Sequence, residues 1–272
     1  MTTDETAIRR TRIYDDPLFN YAQFWTGRDY EHQAEVAALH RLLGDRRYGH
    51  AADIGGGYGR LSAVLTSYAD RVTLADPSTQ QLTLSQKVFP MHRFERRLAE
   101  AAKLPFADGS IDLAVLVRVL HHLPDPGNEL AELSRVLRPG GHAIIEAANS
   151  MHAGRRLTAF LRGQRIPTDP VDIRSAESRR RGTAPYVNHH PRTLISQLAA
   201  VGLVVRKTLS VSNFRHPLAK ALIPHRALLA AERATQEPLA SIYFGPSTFL
   251  LLEKRSPSGT SSREPDHRAE AR

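Results

Sequence analysis

The chain has no cysteine in its 272 residues. Disulfides, zinc–thiolate centres and iron–sulfur clusters are therefore excluded. It also has no apolar run near the roughly 18 residues that span a bilayer. Its opening, MTTDETAIRRTR, lacks the charged-then-apolar pattern of a leader. The expectation is a soluble cytoplasmic protein with no membrane span. Aromatic residues are scarce at 7%, so their crowding in YDDPLFNYAQFWTGRDY, residues 14–30, is conspicuous. That stretch holds the only tryptophan. It reads as part of an N-terminal helical cover over residues 1–45, either lining a pocket for a small molecule or packing on a sheet edge.

Excess positive charge is missing from the first half. Residues 1–150 carry 17 Lys and Arg against 19 Asp and Glu, whereas 151–272 carry 20 against 9. The net charges are −2 and +11. A one-sided basic balance suits an anionic partner. A solvated basic surface with a disordered tail gives the same balance. The basic residues lack interleaved aromatics and match no RNA-binding module. Nucleic acid is therefore an alternative partner rather than the favoured one, and the pattern assigns no oligomeric state.

The apolar pattern alternates short strand-like runs with helix-like runs, which predicts a parallel α/β sheet. Helices are expected over 29–43, 58–69 and 78–88, and from Asp125-Pro126 to Pro139-Gly140-Gly141. Strands are expected over 50–54, 71–76, 94–98, 111–117 and 142–148. Five strands with intervening helices make a doubly wound sheet. Residues 151–187 break the rhythm: they are rich in arginine and offer few strand candidates. A helix at 191–201, a strand at 203–211, one or two helices over 217–236 and a strand at 247–255 complete the pattern. Residues 256–272 have almost nothing apolar and read as disordered.

The stretch ADIGGGYGR, residues 52–60, places four glycines directly after the first strand. Such a turn is where doubly wound sheets bind nucleotide-like ligands. The dinucleotide fingerprint G-x-G-x-x-G fails in either register, and no Lys-Ser or Lys-Thr follows to make a phosphate loop. The spacing present is Gly55-x-Gly57-x-Gly59, preceded by Asp53. An acid there repels a pyrophosphate and suits an ammonium group. Asp76, at the end of the second strand, can accept hydrogen bonds from ribose hydroxyls. These features call for a ligand with a ribose, no phosphate and a positive charge.

DIGGGYGR, LADPS, AEAAKLPFADGSIDLAV, LHHLPDP and RVLRPGG together resemble the class I S-adenosylmethionine-dependent methyltransferases over about residues 50–148. The resemblance implies a seven-stranded, mostly parallel Rossmann-like sheet with helices on both faces and the last strand antiparallel. It implies S-adenosyl-L-methionine as cofactor and a small-molecule acceptor with an O, N or C nucleophile. The cofactor would touch Asp53, Gly55, Gly56, Gly57, Asp76 and Pro77. Glu100 and Ala101 would meet the adenine, and Arg28 would reach the methionine carboxylate. Arg118 stands where the family more often has a small or apolar residue, close to the reacting sulfonium. No metal is implied.

Methyl transfer needs a general base only for a hydroxyl or an acidic carbon. His121 and His122, after the fourth strand, are the catalytic candidates, with backbone capping as their other reading. The expected organisation is a cover at 1–45, a methyltransferase domain at 46–255 with a variable lid at about 150–190, and a tail at 256–272. An RNA or protein methyltransferase and a non-catalytic cofactor-binding protein are the alternatives.

Overall fold

The computed structural model describes Tyr14, Gln23 and residues 25–89, 94–181 and 183–256. The rest of the cover proposed over 1–45, and the tail proposed over 256–272 beyond its first residue, lie outside the described residues.

Seven strands form the main sheet: β1 (Tyr48–Ile54), β2 (Ala69–Asp76), β3 (Glu95–Leu98), β4 (Ile111–Leu116), β5 (Leu137–Ala148), β8 (Leu203–Val211) and β9 (Ser247–Lys254). Their order is β3-β2-β1-β4-β5-β9-β8. The first five run parallel, and β9 lies antiparallel between β5 and β8. The sheet is the doubly wound one expected. Order reverses between β1 and β4, and that switch point opens the ligand crevice at the carboxyl ends of the strands.

Period-two alternation sends each strand's side chains into two cores. Leu113, Val115, Phe249 and Leu251 join Ala38, Leu39 and Leu42 of α1 (Asp29–Leu43) on one face. Ile111, Ala114, Leu250 and Leu252 pack on the other face. There they meet Leu130 and Leu133 of α4 (Gly127–Val136) and Leu194 and Leu198 of α7 (Pro191–Ala200). Both cores are continuous with apolar helical faces of three- and four-residue spacing.

Two expectations change. The helix expected over 58–69 shrinks to α2 (Ser62–Leu65). Gly59 sits at φ +89° with its N–H bonded to Gly56 O, so the chain is still turning where the helix was to start. A Cβ at Gly59 would also lie 2.7 Å from Phe94. The arginine-rich stretch after β5 contains short regular elements among its loops. It holds α5 (Ala153–Leu161), α6 (Ala176–Arg180) and a two-residue ladder of β6 (Val171–Asp172) with β7 (Val187–Asn188). Asp172 closes that ladder by accepting from both the backbone N–H and the guanidinium of Arg174. An N-cap histidine, His152, starts α5.

Candidate functional site

The loop after β1 is pressed against its neighbours. Gly55 and Gly57 have φ of +67° and +60°, and a Cβ on Gly55 would stand 2.5 Å from Val119. Glycine meets both demands at no steric cost. The Gly57 N–H donates to Asp76 Oδ2 at 2.8 Å, and the Ser78 N–H donates to Asp76 Oδ1 at 2.9 Å. Ser78 in turn caps α3 (Thr79–Val88) by accepting from Gln81 N. The glycine loop, the acid and the following helix are thus one hydrogen-bonded unit.

A cleft of about 850 Å³, counted out to its mouth, opens above this unit. Of the residues singled out from the sequence, Gly55, Gly57, Asp76, Pro77, Glu100, Ala101, Arg118 and His122 line it together. Asp53 and Gly56 are not in the lining. Asp53 is buried beneath the loop at 1% exposure and accepts from Ser62 Oγ at 2.6 Å. Burial pushes its pKa up to about 6. A Cβ on Gly56 would meet that carboxylate at 2.5 Å, so Gly56 serves Asp53 directly. Arg28 is outside the lining as well.

Gln81 and Glu129, which the pattern did not reveal, also line the cleft, as does Tyr14, the first of the aromatic stretch read as pocket-lining or edge-packing. Gln81 is 1% exposed, and both atoms of its amide lack a hydrogen-bond partner among the described residues. Buried polar groups are rarely left so. A polar ligand in the cleft would satisfy it. Its signal was its place one turn into the helix that Ser78 caps. The fit to a nucleoside-bearing cofactor therefore rests on the Gly55–Gly57 cradle, the Asp76 carboxylate and this orphaned amide.

Arg118 closes the inner end of the cleft. Its φ is +62°, an unusual conformation for a side chain-bearing residue. Its N–H donates to Glu146 Oε2 at 3.0 Å, and its guanidinium forks onto Glu35 at 2.7 and 2.8 Å. Glu35 also binds Arg60 at 2.6 Å. The two guanidinium groups lie 3.7 Å (Arg60) and 4.7 Å (Arg118) from the Trp25 ring centroid, a cation–π arrangement. Nothing in the helical pattern of 29–43 marks Glu35 as buried, yet it is 2% exposed.

Beyond Arg118 lies a second cavity of about 1080 Å³ on the same measure. Arg118 lines both. The adjacent histidines divide between them, His122 facing the cleft and His121 the second cavity. His122 accepts from Tyr14 Oη at 2.8 Å and donates from Nδ1 to Pro185 O at 3.0 Å, the tautomer that the carbonyl requires. His121 stacks between His122 and Tyr186. Burial and the nearby charges hold its pKa well below the ordinary value, so it is neutral at pH 7. His189 bonds Leu120 O and His190 is the N-cap residue of α7, so both serve the frame. Among the described residues no cluster of His, Asp and Glu is arranged to hold a metal, and no helix is long and apolar enough to cross a membrane.

Residues 52–145 match a family described as "Methyltransferase domain". An uncharacterized methyltransferase of Mycobacterium sp. (strain KMS) is 34% identical over 93 residues, which is 34% of this chain and 36% of that protein. An O-methyltransferase of Penicillium expansum is 31% identical over 187 residues, covering 64% of this chain and 62% of its own. The chain thus spans between about a third and two thirds of the length of these relatives. A crystal structure from Thermotoga maritima, described as a SAM-dependent methyltransferase and possible histamine N-methyltransferase, superposes with a TM-score of 0.61. It covers 90% of this chain and 99% of its own at 18% identity, a likeness of fold.

Proposed function

We propose that this chain is a class I S-adenosylmethionine-dependent methyltransferase that methylates a small-molecule acceptor, a reading that the methyltransferase-domain match at residues 52–145 supports. The observation that carries the reading is the junction of two cavities at Arg118. One has the cradle for a nucleoside-bearing donor. The other is large enough for a separate small molecule, whose pockets commonly run to about 300–1,000 Å³.

S-adenosylmethionine, when bound, supplies a methyl group already activated on a sulfonium. The remaining work is positioning, which can be worth roughly 7–11 kcal/mol. Gly55 and Gly57 admit the donor, Asp76 accepts from its ribose, Gln81 adds a polar contact, and Glu100 and Ala101 meet its base. Arg118, fixed at its N–H by Glu146 and at its guanidinium by Glu35, sets the boundary between the two molecules. His121 faces the second cavity and is kept neutral by burial, so it meets the acceptor as an uncharged ring. His122, tied to Tyr14 and Pro185, holds the wall.

Part of the positive charge of the second half is matched within the chain. Arg174, Arg181, Arg206, Lys207 and Lys220 each have a carboxylate partner.

Calorimetry with S-adenosylhomocysteine tests the reading. The parent protein is expected to bind it. Asp76→Ala is expected to bind more weakly by about 1–3 kcal/mol, the usual cost of stranding polar partners. Gly57→Val, whose side chain fills the cradle, should not bind. Absence of heat with the parent, beside clear binding of NAD or ATP, refutes the assignment.

A further inference from the structure

The second cavity carries positive charge that the protein leaves unmatched. Arg155, in the first turn of α5, and Arg215, between β8 and the helix that follows it, both line this cavity. No hydrogen bond or ion pair to either guanidinium occurs among the described residues. The carboxylates nearby are already engaged. Glu146 accepts from Ser247 Oγ and from Arg118 N, and burial raises its pKa. Glu35 is held between Arg60 and Arg118. Glu31 pairs with Lys220 at 3.0 Å. His152, beside the two arginines, is neutral because burial and their charges lower its pKa. Arg215 lines the cavity and is exposed to solvent. An arginine stays charged under such conditions. Neither guanidinium has a protein carboxylate partner, and a bound anion would supply one to both.

We propose that the acceptor carries an anionic group, a carboxylate or a phosphate monoester, gripped by Arg155 and Arg215. This inference rests on the methyl-transfer reading for the word acceptor; the anion site itself does not. The guanidinium fork matches either oxyanion with paired hydrogen bonds. The anion lies on the α5 side of the cavity, so the rest of the molecule extends past Tyr186 and His121 toward Arg118 and the cleft. The anionic end is an anchor, and the nucleophile is the end that reaches the junction. A neutral acceptor would leave both arginines bare.

The test uses benzoate, phenyl phosphate and benzamide, titrated calorimetrically into the full chain with and without saturating S-adenosylhomocysteine. Benzamide keeps the ring and shape of benzoate and removes the charge. At least one of the two anions is expected to bind, and benzamide about tenfold or more weaker. The tighter of benzoate and phenyl phosphate identifies the oxyanion. Arg155→Gln and Arg215→Gln are each expected to weaken anion binding about tenfold while S-adenosylhomocysteine affinity stays at the parental level. Arg155 lies on an outer helix, so its variant keeps the test decisive if Arg215→Gln fails to fold. Equal binding of benzamide, binding of neither anion, or anion binding untouched by Arg155→Gln overturns the proposal. Arginine-dependent benzoate or phenyl phosphate binding without any S-adenosylhomocysteine binding refutes the methyl-transfer reading and leaves the anion site standing.

Discussion

At the scale of single residues, the three consecutive glycines divide their labour. Gly55 and Gly57 let the backbone turn beside the cleft, whereas Gly56 makes room for the buried Asp53 carboxylate and for Leu74, 2.5 and 2.6 Å from where its Cβ would stand. Gly56→Ala is therefore expected to lower stability by about 1–3 kcal/mol, the range for overpacking a filled core. Gly127→Ala is the control: it sits in the first turn of α4 and its Cβ would meet nothing closer than Asp125 at 3.5 Å. Chemical denaturation distinguishes them, and a Gly56→Ala protein as stable as the parent contradicts the packing argument. The cleft's glycines and Asp76 were legible because their spacing is set by one strand–turn–helix unit. Tyr14 was legible as one of a run of aromatics but its partner was not, because it meets His122 across 108 positions of sequence. Asp53 was legible as an acid beside the loop, but spacing cannot say on which side of a backbone a carboxylate falls.

At the scale of elements, strands and long helices followed their apolar periods closely: α1, at Asp29–Leu43, and β8, at Leu203–Val211, coincide with the expected bounds. The misses lie where local signals compete. Glycine turns consumed most of the helix expected after β1. The 151–187 stretch draws its order from polar ties such as Asp172–Arg174 rather than from apolar spacing. The helix α1 joins the fold to the site. Its Tyr30 hydroxyl donates to Glu232 at 2.6 Å, its Ala34 carbonyl accepts from Gln236 Nε2 at 2.9 Å, and its Glu35 holds Arg60 and Arg118. Removing one partner of a buried ion pair strands the others, at roughly 3–5 kcal/mol. Glu35→Ala is expected to cost about 3 kcal/mol in a urea titration and to weaken S-adenosylhomocysteine binding by releasing Arg118. A loss too small to measure in both would mean that the ion pairs do not fasten α1 to the site.

At the scale of the whole molecule, histidine governs how stability responds to pH near neutrality. His32, His50, His121, His142, His152, His189 and His190 all have pKa values below the ordinary 6.5, burial being the first cause in each. Each takes up its proton more readily in the unfolded chain. Stability gained from such a group is present above the unfolded value and is lost as pH falls through it. Three buried carboxyls work in the opposite direction: Asp53, raised to about 6, with Glu146 and Glu232 raised by burial. They bind protons more readily in the folded protein, so they favour folding as pH falls, Asp53 below about 6, until the unfolded chain is protonated too. Above pH 6 Asp53 is mostly ionised in both states, and the seven histidines set the slope. The melting temperature is therefore expected to rise from pH 6 to pH 7.5, with net proton uptake on unfolding in that interval. Below pH 6 the slope should flatten as the buried carboxyls oppose it. Thermal unfolding in buffers of matched ionic strength checks the sign, since salt would otherwise screen the basic second half differently at each point. A melting temperature that is flat or falls between pH 6 and 7.5 would contradict the argument that the seven histidines dominate the slope there.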